Sequence, residues 1–215
     1  MKKIFSIMVM VLATAMSVMS CAKADANKAD IANEDNVTKG METNIKDKRT
    51  LVVFFSHTGE NYSVGNITEG NTHIIAGMIG EATGGELFEI EPEKEYPHDS
   101  YNAVVEIAKR EKAEKARPAI KGDVAVEDYD VIFIGYPNWW GDMPMPVYVF
   151  IEKHGWEGKT VIPFCTHEGS GLSDTEKYIA EACKGATVVK GLAVEGSTAQ
   201  NDRDKAREIV NVWLD

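Results

Sequence analysis

The stretch Ser56-His57-Thr58-Gly59, continued after ten residues by Gly70-Asn71-Thr72, sets hydroxyls, an amide and glycines between the apolar run LVVFF (51–55) and the helix-like HIIAGMI (73–79). A polar loop between a strand and a helix start is suited to holding a phosphate group. Ser56, Thr58, Asn71 and Thr72 offer side chains, and Gly59 and Gly70 let the backbone come close. A phosphate monoester held by hydroxyls and amide N–H groups needs no cation. Two other phosphate schemes fit the residues poorly. The dinucleotide fingerprint Gly-x-Gly-x-x-Gly is absent. Gly65 to Thr72 has P-loop spacing, but Asn71 stands where the charge-neutralising lysine belongs, which argues against a triphosphate. The plainer alternative is a strand-to-helix loop capped in the ordinary way by Asn71 or Thr72.

Two more loops bear on the choice. Tyr136-Pro137-Asn138-Trp139-Trp140-Gly141 follows a buried-strand type of run and places two indoles side by side. Neighbouring side chains diverge, so both are not buried together, and an exposed indole near a phosphate site suits stacking on a flat ring. Thr166-His167-Glu168-Gly169-Ser170-Gly171 offers backbone donors and acceptors to the edge of such a ring. No nucleophile or acid–base set emerges, so no catalytic residue is assigned. The five histidines, 57, 73, 98, 154 and 167, lack zinc-binding spacing, and no metal site is expected. His98 and His154 read as surface residues. Cys165 and Cys183 read as unpaired, with no Cys-x-x-Cys partner or basic neighbour to mark a reactive thiol.

These loops need a frame that brings them to one place. Short apolar runs alternate with amphipathic ones from Thr50 onward. The strands expected are 51–56, 86–92, 130–137, 159–166 and 187–194. The helices expected are 72–82, 99–116, 146–154, 172–184 and a last one through Trp213. Five β-α pairs imply a parallel sheet with helices on both faces, and its ligand belongs at the carboxyl ends of the strands. The loops after strands one, three and four are the rich ones, while Gly84-Gly85 and the stretch through Tyr129 read as connectors.

On these motifs the chain from about Leu51 to its end resembles the flavodoxins, in particular the small bacterial flavodoxin-like proteins. The resemblance implies an α/β, flavodoxin-like three-layer sandwich with a five-stranded parallel sheet in order 2-1-3-4-5. It also implies non-covalent FMN. Ser56, His57, Thr58, Gly59, Asn71 and Thr72 would serve its phosphate. Pro137, Asn138, Trp139, Trp140 and Gly141 would cover the isoalloxazine, and Thr166 to Gly171 would meet its pyrimidine edge. The family's compact Ser/Thr-x-Thr-Gly-x-Thr loop is split here, with Gly59 to Glu69 as an insert. The second flavin loop lacks the tyrosine many flavodoxins use, a gap His167 would partly fill. The activity implied is electron transfer with a redox partner protein. An FMN-dependent NAD(P)H or quinone oxidoreductase, and a domain that has lost its flavin, are the alternatives.

The first residues stand apart. Lys2 and Lys3 precede an apolar stretch, Ile4 to Ala15, and Val18-Met19-Ser20-Cys21 resembles a bacterial lipobox. Residues 1–20 are expected to be a lipoprotein signal peptide, and Cys21 the lipidated residue anchoring the chain to a membrane in the bacterial cell envelope. Residues 21–49 read as a polar tether and 50–215 as the domain. Removing Lys2 and Lys3 takes the formal charge from −11 to −13, which disfavours nucleic acid as a partner and suits docking on basic surfaces.

Overall fold

The computed structural model describes Ile45 and residues 47–215. The expected signal peptide, the expected lipidated Cys21 and the expected tether up to residue 44 lie outside the described residues. Among those described, no helix is long and apolar enough to cross a membrane.

Strand β1 (Thr50–Phe54) is buried at every position. It pairs in parallel with β4 (Glu86–Glu89) on one side and β7 (Val131–Pro137) on the other. β7 pairs with β8 (Thr160–His167), and β8 with β10 (Leu192–Glu195). The sheet therefore runs β4-β1-β7-β8-β10, the 2-1-3-4-5 order expected. Strand pleating divides its side chains. Leu51, Val53, Phe55, Ile132 and Ile134 face α2 (Tyr101–Glu114), α3 (Met145–Lys153) and α4 (Thr175–Ala182). Val52, Phe54 and Phe133 face α1 (Asn71–Thr83), α5 (Gly196–Asn201) and α6 (Arg203–Leu214). Each of the two cores thus lies between the sheet and one helical layer of the sandwich.

The fifth strand is not continuous. β9 (Thr187–Val188) pairs with the start of β8 and β10 with its end. Between Val161↔Val188 and Phe164↔Leu192 the edge strand advances one residue more than β8. Pro163 sits at that point in β8 and has no N–H for the ladder, and a bulge absorbs the mismatch. The last helix is also divided, at Asp202, whose side chain caps α6 by accepting from Lys205 N at 3.1 Å.

Strand two is shorter than its apolar run. The sheet ladder stops at Glu89, and β5 (Glu91–Pro92) pairs antiparallel with β6 (Ile120–Lys121) in a small ribbon of its own. The insert after β1 is a hairpin, β2 (Gly59–Asn61) with β3 (Gly65–Ile67). It docks on the start of α2. Glu60 N donates to His98 O at 2.7 Å, Glu60 Oε2 accepts from Tyr101 N at 2.9 Å, and Tyr62 stacks on Tyr101 at 5.8 Å.

Candidate functional site at the carboxyl end of the sheet

Because the strands of the main sheet are parallel, the connections after β1, β4, β7, β8 and β10 leave at one end. The helix that follows β1 starts at Gly70, not at a capping side chain of its own. Ser56 supplies the cap from across the loop, its Oγ accepting from His73 N at 3.1 Å. A Cβ on Gly70 would overlap Ser56 Oγ and crowd His57 O, so only glycine admits this approach. The first-turn amides of Asn71 and Thr72 have no acceptor within the helix. The Ser56 hydroxyl stands beside them and Thr58 follows on the same loop; hydroxyls and free amides of this kind fit a phosphate dianion.

The side chains of the other residues expected at the phosphate, and of Thr58, have partners of their own. Thr72 is 1% exposed and its hydroxyl lies 2.8 Å from that of Thr166, itself buried. Asn71 Oδ1 accepts from Gln200 Nε2 at 2.9 Å, which ties the loop to α5. Thr58 Oγ1 is 3.1 Å from His98 Nδ1, and Gly59 opens the hairpin. His57 points its ring into an aromatic cluster with Tyr96, Trp139 and His98. Burial first, then the neighbouring His98, pulls its pKa down to about 4 against a favourable bond to the Pro97 carbonyl. A cavity of about 280 Å³ lies here, lined by Ser56, His57, Thr58, Tyr96 and His98 among others.

The indole pair diverges as expected. Trp139 is half-buried, edge-on to Phe55 and Tyr96 at 5.3 and 5.2 Å. Trp140 is 51% exposed. The two lie on a tight hairpin turn, with Trp139 N donating to Asp142 O at 2.9 Å and Asp142 N to Trp139 O at 3.2 Å. Its corner residues, Trp140 and Gly141, have φ of +59° and +72°. This is the type I′ arrangement, whose usual corner is Asn-Gly. A tryptophan in left-handed backbone is strained, and such strain gathers at binding sites. Helix α2 supports the turn, with Lys112 Nζ donating to Trp140 O at 2.7 Å and Trp140 Nε1 to Val105 O at 3.1 Å. Between the turn and α2 lies a groove of about 290 Å³ lined by Tyr101, Val104, Asn138, Trp139 and Trp140.

Asn138 joins this turn to the loop after β8. Its Nδ2 donates to Gly171 O at 2.7 Å and to Ser173 Oγ at 3.0 Å, while its Oδ1 accepts from Gly141 N at 2.9 Å. Pro137 ends β7 beside Thr166. In the β8 loop Gly169 and Gly171 take φ of +105° and +59°. His167 Nδ1 accepts from Gly169 N at 2.9 Å, and Ser170 O accepts from Ser173 Oγ at 3.2 Å. Glu168 turns away and caps α5, accepting from Ser197 N at 2.6 Å.

Tyr96, His98, Ser197 and Gln200 were not singled out by type or spacing. The signal available for the first two was positional, since a loop after strand two of a parallel sheet must emerge beside the loop after strand one. One sequence expectation is corrected: His154 is not a surface residue. Its side chain is 9% exposed, 4.6 Å from the Phe150 ring and 3.0 Å from Asp123 Oδ1. Cys165 and Cys183 are both free and buried. Among the described residues there is no cluster of three potential metal ligands.

The family model for flavodoxin matches residues 49–211. A structure from Bacteroides eggerthii DSM 20697, described provisionally as a flavoprotein, is 30% identical with a TM-score of 0.61, covering 77% of this chain and 98% of its own. One from Bacteroides uniformis ATCC 8492, described in the same terms, is 30% identical with a TM-score of 0.59, covering 77% and 99%. A Lactobacillus acidophilus NCFM flavoprotein in complex with FMN shares the fold at 21% identity, with a TM-score of 0.55 over 74% of this chain and 97% of its own. No curated protein matches the chain significantly.

Proposed function

We propose that this chain, which belongs to the flavodoxin family, binds FMN non-covalently at the carboxyl end of its sheet and passes electrons through it. The carrying observation is the strained Trp140-Gly141 corner, which holds an exposed indole where folding alone favours asparagine. Ser56, Thr58 and the first-turn amides of α1 would hold the phosphate. Trp139 and Trp140 would line the ring. The β8 loop from Thr166 to Gly171, fixed by Asn138, would meet its edge. Bound there, FMN supplies reversible uptake and release of electrons. The chain's own contribution is to hold the flavin and to surround it with net negative charge, which disfavours further negative charge nearby.

Titrating the purified protein with FMN and with riboflavin tests this reading. Saturable binding of FMN, weaker for riboflavin and weaker in Trp139→Ala or Trp140→Ala, is the expected result. No binding overturns the reading, and affinity unchanged in both variants removes the ring contact. Bleaching of bound FMN by NADH or NADPH alone would replace the electron carrier with an oxidoreductase.

The membrane anchor is part of the same proposal and rests on the sequence around Cys21. Incorporation of labelled palmitate, lost in Cys21→Ala, is its test; labelling that persists in the variant excludes it.

A further inference from the structure

The cavity beneath Ser56 and Thr58 contains two imidazoles whose arrangement a phosphate does not explain. His57 is 8% exposed, and its ring lies 5.4 Å from that of His98 at an angle of 11°. Tyr96 and Trp139 close around it edge-on at 6.4 and 6.0 Å. Its Nε2 is buried with no hydrogen-bond partner among the described residues, an unfavourable state that the surrounding structure must enforce. His98, half-exposed on the loop between β5 and α2, grips three consecutive residues. Its Nδ1 lies 3.1 Å from both Thr58 Oγ1 and Thr58 O. Its carbonyl accepts from Glu60 N at 2.7 Å. Gly59, at φ +91°, packs so closely that a Cβ would overlap the His98 backbone.

We propose that His98 is a positioning residue for FMN binding: through His57 and Thr58 it locks the phosphate-side loop, and protonation of His57 releases that lock. The proposal deepens the FMN reading and depends on it. The groups facing the pair decide the sign. The β5–α2 loop brings Glu95, 3.5 Å from His98 Nε2, and Tyr96. Glu89 and Glu91 line the cavity from β4 and β5, and Lys121 from β6. The hairpin adds Glu60, which is bonded to Tyr101 N, and the loop after β7 brings the uncharged Trp139. Lys121 lies 3.3 Å from Glu91 and 3.5 Å from Glu95, so Glu95 is shared between Lys121 and His98. A proton on His57 would then sit in a buried site, stacked on a second imidazole with no carboxylate of its own. Burial and that neighbour both favour neutral His57, in keeping with a lock closed at neutral pH.

FMN titrations and amide exchange from pH 3 to 8 test the proposal, on full-length protein and on His98→Ala and His57→Phe. The phosphate of FMN titrates too, and His57→Phe separates the two effects because it removes only the protein's step. Wild-type affinity should fall by up to about tenfold per pH unit once His57 takes up its proton, and this step should be missing in His57→Phe. In FMN-free protein, protection of the Glu60 amide should fall over the same range, and in His98→Ala it should be low at every pH. Failure to bind FMN at any pH overturns the FMN reading and the positioning role with it. FMN binding and Glu60 protection that ignore both pH and His98→Ala overturn the positioning role alone.

Discussion

Thr72 and Thr166 face each other between a helix and the sheet with their hydroxyl oxygens 2.8 Å apart, both buried, one at the start of α1 and the other near the end of β8. The bond joins the helix behind the candidate phosphate site to the strand that carries the second candidate flavin loop. Each hydroxyl is the other's partner, so Thr72→Val or Thr166→Val alone leaves one buried group unpaired and should cost about 1–3 kcal/mol. The double variant should cost clearly less than the sum of the singles. Urea unfolding of the four proteins checks this, and additive losses would show that the pair is not coupled.

The Trp140 corner should trade stability for binding. Trp140→Asn installs the residue a type I′ turn prefers and should hold stability level or raise it by up to about 1 kcal/mol. FMN affinity should drop by about three- to tenfold, the worth of one aromatic contact. A variant that loses stability and keeps its affinity would mean that the indole serves the fold.

Stability should depend on pH through His57. An ordinary histidine protonates near 6.5, and burial together with His98 lowers His57 to about 4. The unfolded chain therefore takes up this proton first as pH falls. Its contribution is complete above about 6.5 and is lost progressively down to about 4. The size is about 2 kcal/mol after allowance for solvent screening. Denaturant midpoints from pH 8 to 4 in wild type and His57→Phe measure it as the difference between the two slopes.

Gly70 should tolerate no side chain. The added methyl of Gly70→Ala would meet Ser56 Oγ and the His57 carbonyl, displacing the cap on His73 N. A loss of about 1–3 kcal/mol is expected, together with weaker FMN binding. Gly77→Ala, in α1 with open space around it, is the control and should be neutral or slightly stabilising.

The two thiols should be inert in the native state. Burial pushes both Cys165 and Cys183 up to about 12, so almost no thiolate exists at neutral pH. A chromogenic thiol reagent should detect neither of these two in folded protein and both in denaturant. Fast reaction of either without denaturant would show that its shell opens.

The sequence by itself determined the layers. Runs such as LVVFF and VIFIGYP are apolar on both faces because their strands are covered on both sides. Glycine- and hydroxyl-rich loops after strands one, three and four marked the end of the sheet where the candidate site is proposed. The strand order came with the family resemblance and not from the pattern. The break in strand five was less legible, since the edge run TVVKGLAV reads as continuous and the cause, Pro163, lies in its neighbour. Only the tertiary structure decided where the polar side chains of those loops point. Thr72 finds Thr166 ninety-four residues away, and Thr58 finds His98 forty residues away. The direction of the His57 ring was likewise undecided until Tyr96 and Trp139 met beside it. Periodicity records how much of a strand or helix is covered, because burial repeats with the local geometry. It does not record which loop covers it, because polar partners across a sheet edge are chosen by where distant loops meet.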